Sequence, residues 1–132
     1  MTALLDTSVL VRYLTGEPPD LAERAAALID SDRQLRVPII ALVESAYVLT
    51  HSYGVERAVV VDTLLDFCTR ANVTPHELPT ERVVEALRLC RPSNRVSFTD
   101  AFIWATAATA QAQVFTFDRR FPALDIDRQL LA

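Results

Sequence analysis

The sequence predicts an α/β fold in which helices pack around a mainly parallel β-sheet. Short runs of strand character alternate along the chain with longer segments of helical periodicity, and only two glycines interrupt the 132 residues. Strands that are separated by helices pair in parallel, since a tight turn cannot bring them together antiparallel. The length also fits a single domain, residues 1–132, that buries its own core.

Four short runs of apolar and β-branched residues between helical segments are predicted to be strands. They cover residues 2–5, 34–37, 72–77 and 113–117. Binding sites in parallel sheets form just beyond the carboxyl ends of the strands, so the residues that follow these runs are of interest. The tail from residue 122 has no clear pattern and is left unassigned.

Six segments repeat apolar residues at the three- and four-residue spacing of an amphipathic helix. They cover residues 8–14, 20–31, 39–51, 56–70, 80–91 and about 97–111. Gly16 marks the end of the first helix, and Pro18 and Pro19 suit the entry to the second. Either Ser97 or Thr99 is predicted to cap the last helix.

The composition excludes several kinds of chemistry. All 13 basic residues are arginines, so a P-loop lysine and a Schiff-base lysine are both absent. Cys68, Cys90, His51 and His76 do not have zinc-ligand spacing, and the cysteines are predicted to be small buried hydrophobes. With no apolar stretch of membrane-spanning length and no basic N-terminal region, we expect a soluble cytoplasmic protein.

Four carboxylates stand in segments that are otherwise largely apolar. Asp6 and Asp118 end the first and last predicted strands, Glu44 lies within the third helix, and Asp100 opens the sixth. Burying an unpaired carboxylate costs on the order of several kcal/mol, and no lysine is present to neutralise these. Taken singly, each acid is explained as a helix cap, a turn residue or an arginine partner. Together they favour a shared site for a hard divalent cation.

Four motifs carry a resemblance to a known family. In chain order they are LLDTSVLVRYL, VESAYVL, SFTDAFIWATA and VFTFDRRF. With their spacing they resemble PIN-domain proteins, above all the VapC-type toxins of bacterial and archaeal type II toxin–antitoxin pairs. The resemblance extends from Leu4 to Phe121. It therefore involves nearly the whole chain.

The resemblance implies a PIN-like three-layer sandwich and a metal-dependent endoribonuclease. The residues that match the family's four acids, which bind Mg²⁺ or Mn²⁺, are Asp6, Glu44, Asp100 and Asp118. Thr7 or Ser8 matches a supporting hydroxyl beside the first acid, and Thr116 matches a threonine that can hydrogen-bond near that acid. The implied partners are an RNA substrate and a VapB-type antitoxin that covers or enters the acidic site. A homodimer and a hetero-oligomer with the antitoxin are the implied assemblies.

Four arginines near the acidic motifs are candidate contacts for RNA phosphates: Arg12, Arg95, Arg119 and Arg120. Each is equally well explained as a solvated surface residue. The net charge of −4 argues against a broad, non-specific grip on phosphates. However, setting the four site acids apart from the 17 acidic residues leaves 13, which balances the 13 arginines.

Two other protein classes also place aspartates at strand ends. Phosphatases of the haloacid dehalogenase kind need a second aspartate where this chain has Ser8, and they need a lysine. Receiver-like signalling modules need a lysine as well. The alternative that stays open is a metal-binding PIN fold without catalysis, which acts as an RNA-binding or regulatory interaction module.

Overall fold

The computed structural model describes residues 1–131, in which six α-helices and four short strands follow one another. The helices are α1 (Thr7–Thr15), α2 (Pro19–Ile29), α3 (Ile39–Tyr47), α4 (Arg57–Cys68), α5 (Thr80–Cys90) and α6 (Phe98–Ala110). The strands are β1 (Leu35–Val37), β2 (Val73–Pro75), β3 (Gln113–Thr116) and β4 (Asp127–Leu130). The α/β class and all six predicted helices are confirmed.

Every strand pair in the described residues is parallel, as the alternation of strands and helices predicts. β1 pairs with β2, and β3 pairs with β4 in a second two-stranded sheet. The predicted first strand is reduced to a parallel bridge between Leu4 and Arg36. Hydrogen bonds from Leu5 N–H to Arg36 O, 2.9 Å, and from Arg36 N–H to Ala3 O, 2.8 Å, hold this segment beside β1. The bridge brings the residues before Asp6 to the edge of the first sheet.

Local chemistry sets the end of α1 and the start of α6. Gly16 ends α1 in the left-handed conformation, with φ 73°, which glycine adopts without steric cost. Ser97, one of the two predicted caps, begins α6. The third predicted helix extends to residue 51, but in the structure α3 ends at Tyr47 and continues as a π-helical turn, Val48–Ser52.

The core is formed by the apolar faces of the helices, with Trp104, Phe67 and Phe98 among its largest fully buried side chains. Cys68 and Cys90 are free and buried, as predicted, and burial raises the pKa of their thiols to about 12 and about 11, respectively. α3 packs against both α1 and α6. These three helices are the ones associated with Asp6, Glu44 and Asp100. Among residues 1–131, no helix is both long and apolar enough to cross a membrane.

Candidate active site

Asp100 and Asp118 form the centre of the candidate site. Asp100 lies in the first turn of α6, where its N–H donates to the capping Ser97 Oγ at 3.0 Å. Asp118 lies in the turn that follows β3. Burial, followed by the negative charge of the nearby Asp118 carboxylate, raises the pKa of Asp100. Such a pair favours either a shared proton or a bound cation.

Hydrogen bonds within the turn orient Asp118. The Asp118 N–H donates to Thr116 Oγ1 at 3.0 Å, and the Arg120 N–H donates to Asp118 Oδ1 at 2.8 Å. Both bonds are of the kind by which Thr and Asp side chains stabilise turns two residues away. The family resemblance places Thr116 near the first acid, whereas the hydrogen bond that its side chain makes in the structure is to Asp118.

Arg128 on β4 supports the same turn from outside. Its Nη1 donates to the carbonyl oxygens of Arg119 at 3.0 Å and Phe121 at 2.8 Å. The Phe121 side chain is buried, so both the backbone hydrogen bonds and the packing of this ring hold the turn in place. Sequence reasoning missed Arg128, because it lies in the unassigned tail and its partners are backbone atoms that no sequence pattern reveals.

Asp6 is the N-cap residue of α1 and is exposed. Ser8 Oγ donates to Asp6 Oδ2 at 2.7 Å, and this hydrogen bond is the largest of the influences that lower the pKa of Asp6. Arg12 lowers this pKa slightly through its charge, and its Nη1 donates to Ser8 O at 3.2 Å. Of the two predicted supporting hydroxyls, Ser8 is therefore the one that contacts the carboxylate.

Glu44 is exposed on α3, on the side of that helix that faces the start of α6. It borders a shallow surface groove together with Tyr47 and Thr99. The Tyr47 hydroxyl lies 3.3 Å from Thr99 Oγ1, which links α3 to the residue before Asp100. Glu44 thus shares a surface with the N-terminal end of α6.

The four predicted acids do not form one compact cluster. Within residues 1–131, no group of three or more Asp, Glu, His or Cys side chains is close enough to hold a metal ion. The structure brings Asp100 and Asp118 together, while Asp6 and Glu44 lie at α1 and on α3. A pair of carboxylates nevertheless fits Mg²⁺, which typically takes one or two carboxylates and keeps several waters.

The comparison with protein families gives one match, in which residues 3–127 correspond to the PIN domain. The match extends over nearly the whole chain. The chain belongs to the PIN domain family. Comparison with curated proteins finds no match. PIN domains are generally metal-dependent nucleases, and the matched residues of this one include all four predicted acids.

The four arginines predicted to contact RNA differ in their surroundings within the PIN domain. Arg12 is half-buried, whereas Arg95, Arg119 and Arg120 are exposed. None of the four takes part in the three salt bridges found among residues 1–131. Their guanidinium charges are therefore not neutralised by a carboxylate in ion-pair contact, and their role in RNA binding stays a prediction.

Arg57 stabilises the loop that leads into α6, the helix that carries Asp100. Its Nε donates to Cys90 O at 2.6 Å and to Ser93 O at 2.7 Å, and its Nη2 donates to Val96 O. Its guanidinium also lies over the Phe98 ring, 4.5 Å from the centroid. Nothing in the sequence distinguishes Arg57 from a surface arginine at the start of a helix.

Proposed function

We propose that this PIN domain is a metal-dependent endoribonuclease that uses Mg²⁺ or Mn²⁺. The observation that carries the proposal is that the Asp100 carboxyl, at the start of α6, lies near that of Asp118, in the turn after β3. Neighbouring carboxylates repel each other unless a proton or a cation lies between them, and hard divalent ions prefer such oxygen ligands. Asp100 and Asp118 would hold the ion, with Asp6 and Glu44 contributing directly or through water.

The chain's own residues would orient the reaction. A bound divalent ion supplies Lewis acidity at the phosphodiester and lowers the pKa of a water molecule. Ser8 holds the Asp6 carboxylate through its hydroxyl, and the Arg120 N–H holds that of Asp118. The exposed Arg119 is proposed to contact a phosphate next to the one that is cut.

The test is RNA cleavage with Mg²⁺ or Mn²⁺ and with a chelator, for the wild type beside Asp100→Asn. We expect the wild type to cleave RNA only when metal is present. Asp100→Asn should cleave more slowly by a factor larger than the about 10- to 100-fold loss that is typical when an outer-shell partner of a metal is changed. Asp66→Asn is the matched control, because Asp66 is exposed on α4 and its carboxylate has no hydrogen bond or salt bridge within residues 1–131. Equal cleavage by Asp100→Asn would contradict the proposal.

We further propose that the domain is the toxin of a VapBC-type pair, since four of its motifs resemble VapC-type toxins. Its partner would be a VapB-type antitoxin that covers the acidic site, and the toxin itself would be a homodimer. Expression in a bacterial host should arrest growth for the wild type and not for Asp100→Asn. Unaffected growth, with cleavage present in vitro, would contradict the toxin role and leave the nuclease.

The alternative is a PIN fold that binds metal and RNA without cutting, as a regulatory interaction module. The carboxylate pair alone does not distinguish the two, because it serves binding as well as catalysis. Metal binding by calorimetry together with RNA binding, and no cleavage under any metal, would favour this alternative.

A further inference from the structure

Two phenylalanines, Phe115 on β3 and Phe117 just after this strand, are unusual among the aromatic residues of this chain. Of its six phenylalanines, four are at most 4% exposed, whereas Phe115 is 62% and Phe117 is 73% exposed. Exposure alternates from residue 113 to residue 117, so both rings project from the same face of the strand. Neither ring pairs with another aromatic ring within residues 1–131. The core therefore gains almost nothing from these two side chains.

The two rings lie next to the candidate site, among side chains that are mostly polar. Gln129, paired with Phe115 across the β3–β4 ladder, is exposed beside it. Asp118 follows Phe117 immediately, and the exposed Arg119 comes next. The two rings therefore have an amide on the neighbouring strand, and a carboxylate of the candidate site and a guanidinium follow them along the chain.

We propose that Phe115 and Phe117 form a stacking platform for bases of single-stranded RNA that enters the Asp100–Asp118 site. Aromatic rings on an open strand can stack successive bases, and neighbouring arginines contact the backbone between them. Bases in a duplex are already stacked on each other, so the platform selects unpaired RNA. The inference rests on the proposed nuclease function and adds to it the two side chains that hold the substrate's bases beside the site.

A protein partner fits this face less well. Phenylalanines contribute about 150–250 Å² each when fully covered, so these two partly exposed rings offer on the order of 300 Å². A stable protein interface buries about 800 Å² on each side. The exposed Leu131, whose N–H donates to Thr116 O at 2.9 Å, adds to the apolar strip. Gln129, Asp118 and Arg119 border the strip, so its area stays below that of a stable interface.

The test measures RNA affinity in the Asp100→Asn background with Mg²⁺, where cleavage is not expected to interfere. The probe is a short single-stranded RNA that carries 2-aminopurine, whose fluorescence falls when the base stacks. Changing both rings to leucine should weaken binding by about tenfold or more and abolish the quenching, since base–aromatic stacking is lost. Changing both to tyrosine, which keeps the aromatic faces, should preserve affinity and quenching.

Val59→Ala is the matched control, because Val59 is also exposed but lies on α4, which carries none of the four acids. The proposal is overturned if the leucine variant binds and quenches like its parent, or if the tyrosine variant loses as much affinity as the leucine variant. Equal affinity for duplex and single-stranded RNA would also overturn it. So would a result in which the two rings are needed for self-association of the protein but not for RNA binding. Absence of cleavage by the wild type, with ring-dependent binding intact, would instead remove only the proposed nuclease function.

Discussion

The guanidinium of Arg57 lies 4.5 Å from the centroid of the Phe98 ring, at the point where the loop after α5 enters α6. The same guanidinium donates to three backbone carbonyls along residues 90–96. One side chain on α4 therefore fixes both the loop and the first residue of α6. Asp100 lies two residues further along, so the position of this carboxylate depends on Arg57 through the backbone.

We expect Arg57→Met to destabilise the protein by about 2–4 kcal/mol, since the aliphatic stem is kept while three carbonyls, two of them partly buried, lose a charged donor and the cation–π contact is lost. The free energy of unfolding from urea titration measures this change. Arg33→Met is the control, because Arg33 is exposed and its guanidinium makes no hydrogen bond in the described residues. An unchanged free energy of unfolding in Arg57→Met would refute the role given to Arg57.

The raised pKa of Asp100 leads to a prediction about pH. In the folded protein this carboxyl holds its proton above its ordinary value of 3.8, because burial and the charge of Asp118 disfavour ionisation. The folded state thus binds more protons than the unfolded state, so this group's contribution to stability falls as pH rises from 3.8 through the raised pKa. With chelator present, Asp100→Asn should therefore be more stable than the wild type near pH 7, and this advantage should disappear at low pH. Unfolding curves across this pH range check the prediction, and a constant difference between the two proteins would contradict it.

Metal binding has a readout that does not require activity. If Asp100 and Asp118 hold a divalent ion, Mg²⁺ stabilises the folded state by mass action, by about 2.7 kcal/mol at a free concentration of 100 times Kd. Thermal unfolding should shift upward with Mg²⁺ for the wild type and for Asp66→Asn, and much less for Asp100→Asn. Equal shifts in all three proteins would indicate that the ion binds elsewhere.

The hydrogen bond from Ser8 to Asp6 predicts a difference between two adjacent hydroxyls. Ser8→Ala removes the main influence that lowers the pKa of Asp6, so this pKa should rise toward the ordinary carboxyl value. Thr7→Ala should leave it nearly unchanged, since only the backbone of Thr7 acts on Asp6. NMR titration of the Asp6 carboxyl carbon measures both variants, and Ser8→Thr should restore the low pKa. If Thr7→Ala and Ser8→Ala gave the same shift, the side-chain bond would not be its cause.

The sequence predicts the elements that are held by apolar burial and misses those held by polar contacts. Helices such as α4 and α6 carry buried apolar residues that repeat at helical spacing, and this spacing is visible in the sequence. β4 has the sequence DRQL, in which exposed and partly buried positions alternate and only the leucine is apolar, so its pairing with β3 leaves no apolar pattern to detect. The first strand was predicted from its apolar residues, but only Leu4 forms a bridge.

The candidate site shows the same division. The acids are conspicuous in sequence because carboxylates in apolar segments need a partner, and two of them, Asp100 and Asp118, lie near each other. The adjacent hydroxyls of Thr7 and Ser8 are equivalent in sequence, and only the geometry at the start of α1 gives Ser8 the contact. Arg57 acts on backbone carbonyls, which every residue possesses, so its partners leave no signature in the sequence.

The turn that carries Asp118 should become mobile when Arg128 is changed. Arg128→Met removes the donor to the carbonyls of Arg119 and Phe121 and keeps most of the aliphatic side chain. Loss of a charged donor costs about 1.5–3 kcal/mol, so the amide hydrogens of Arg120 and Phe121 should exchange at least about tenfold faster. Gln129→Leu is the control on the same strand, because Gln129 is exposed and lies on the face of β4 opposite to that of Arg128. Unchanged exchange in Arg128→Met would show that the bonds of Asp118 within the turn are sufficient to fix it, and that Arg128 does not position this carboxylate.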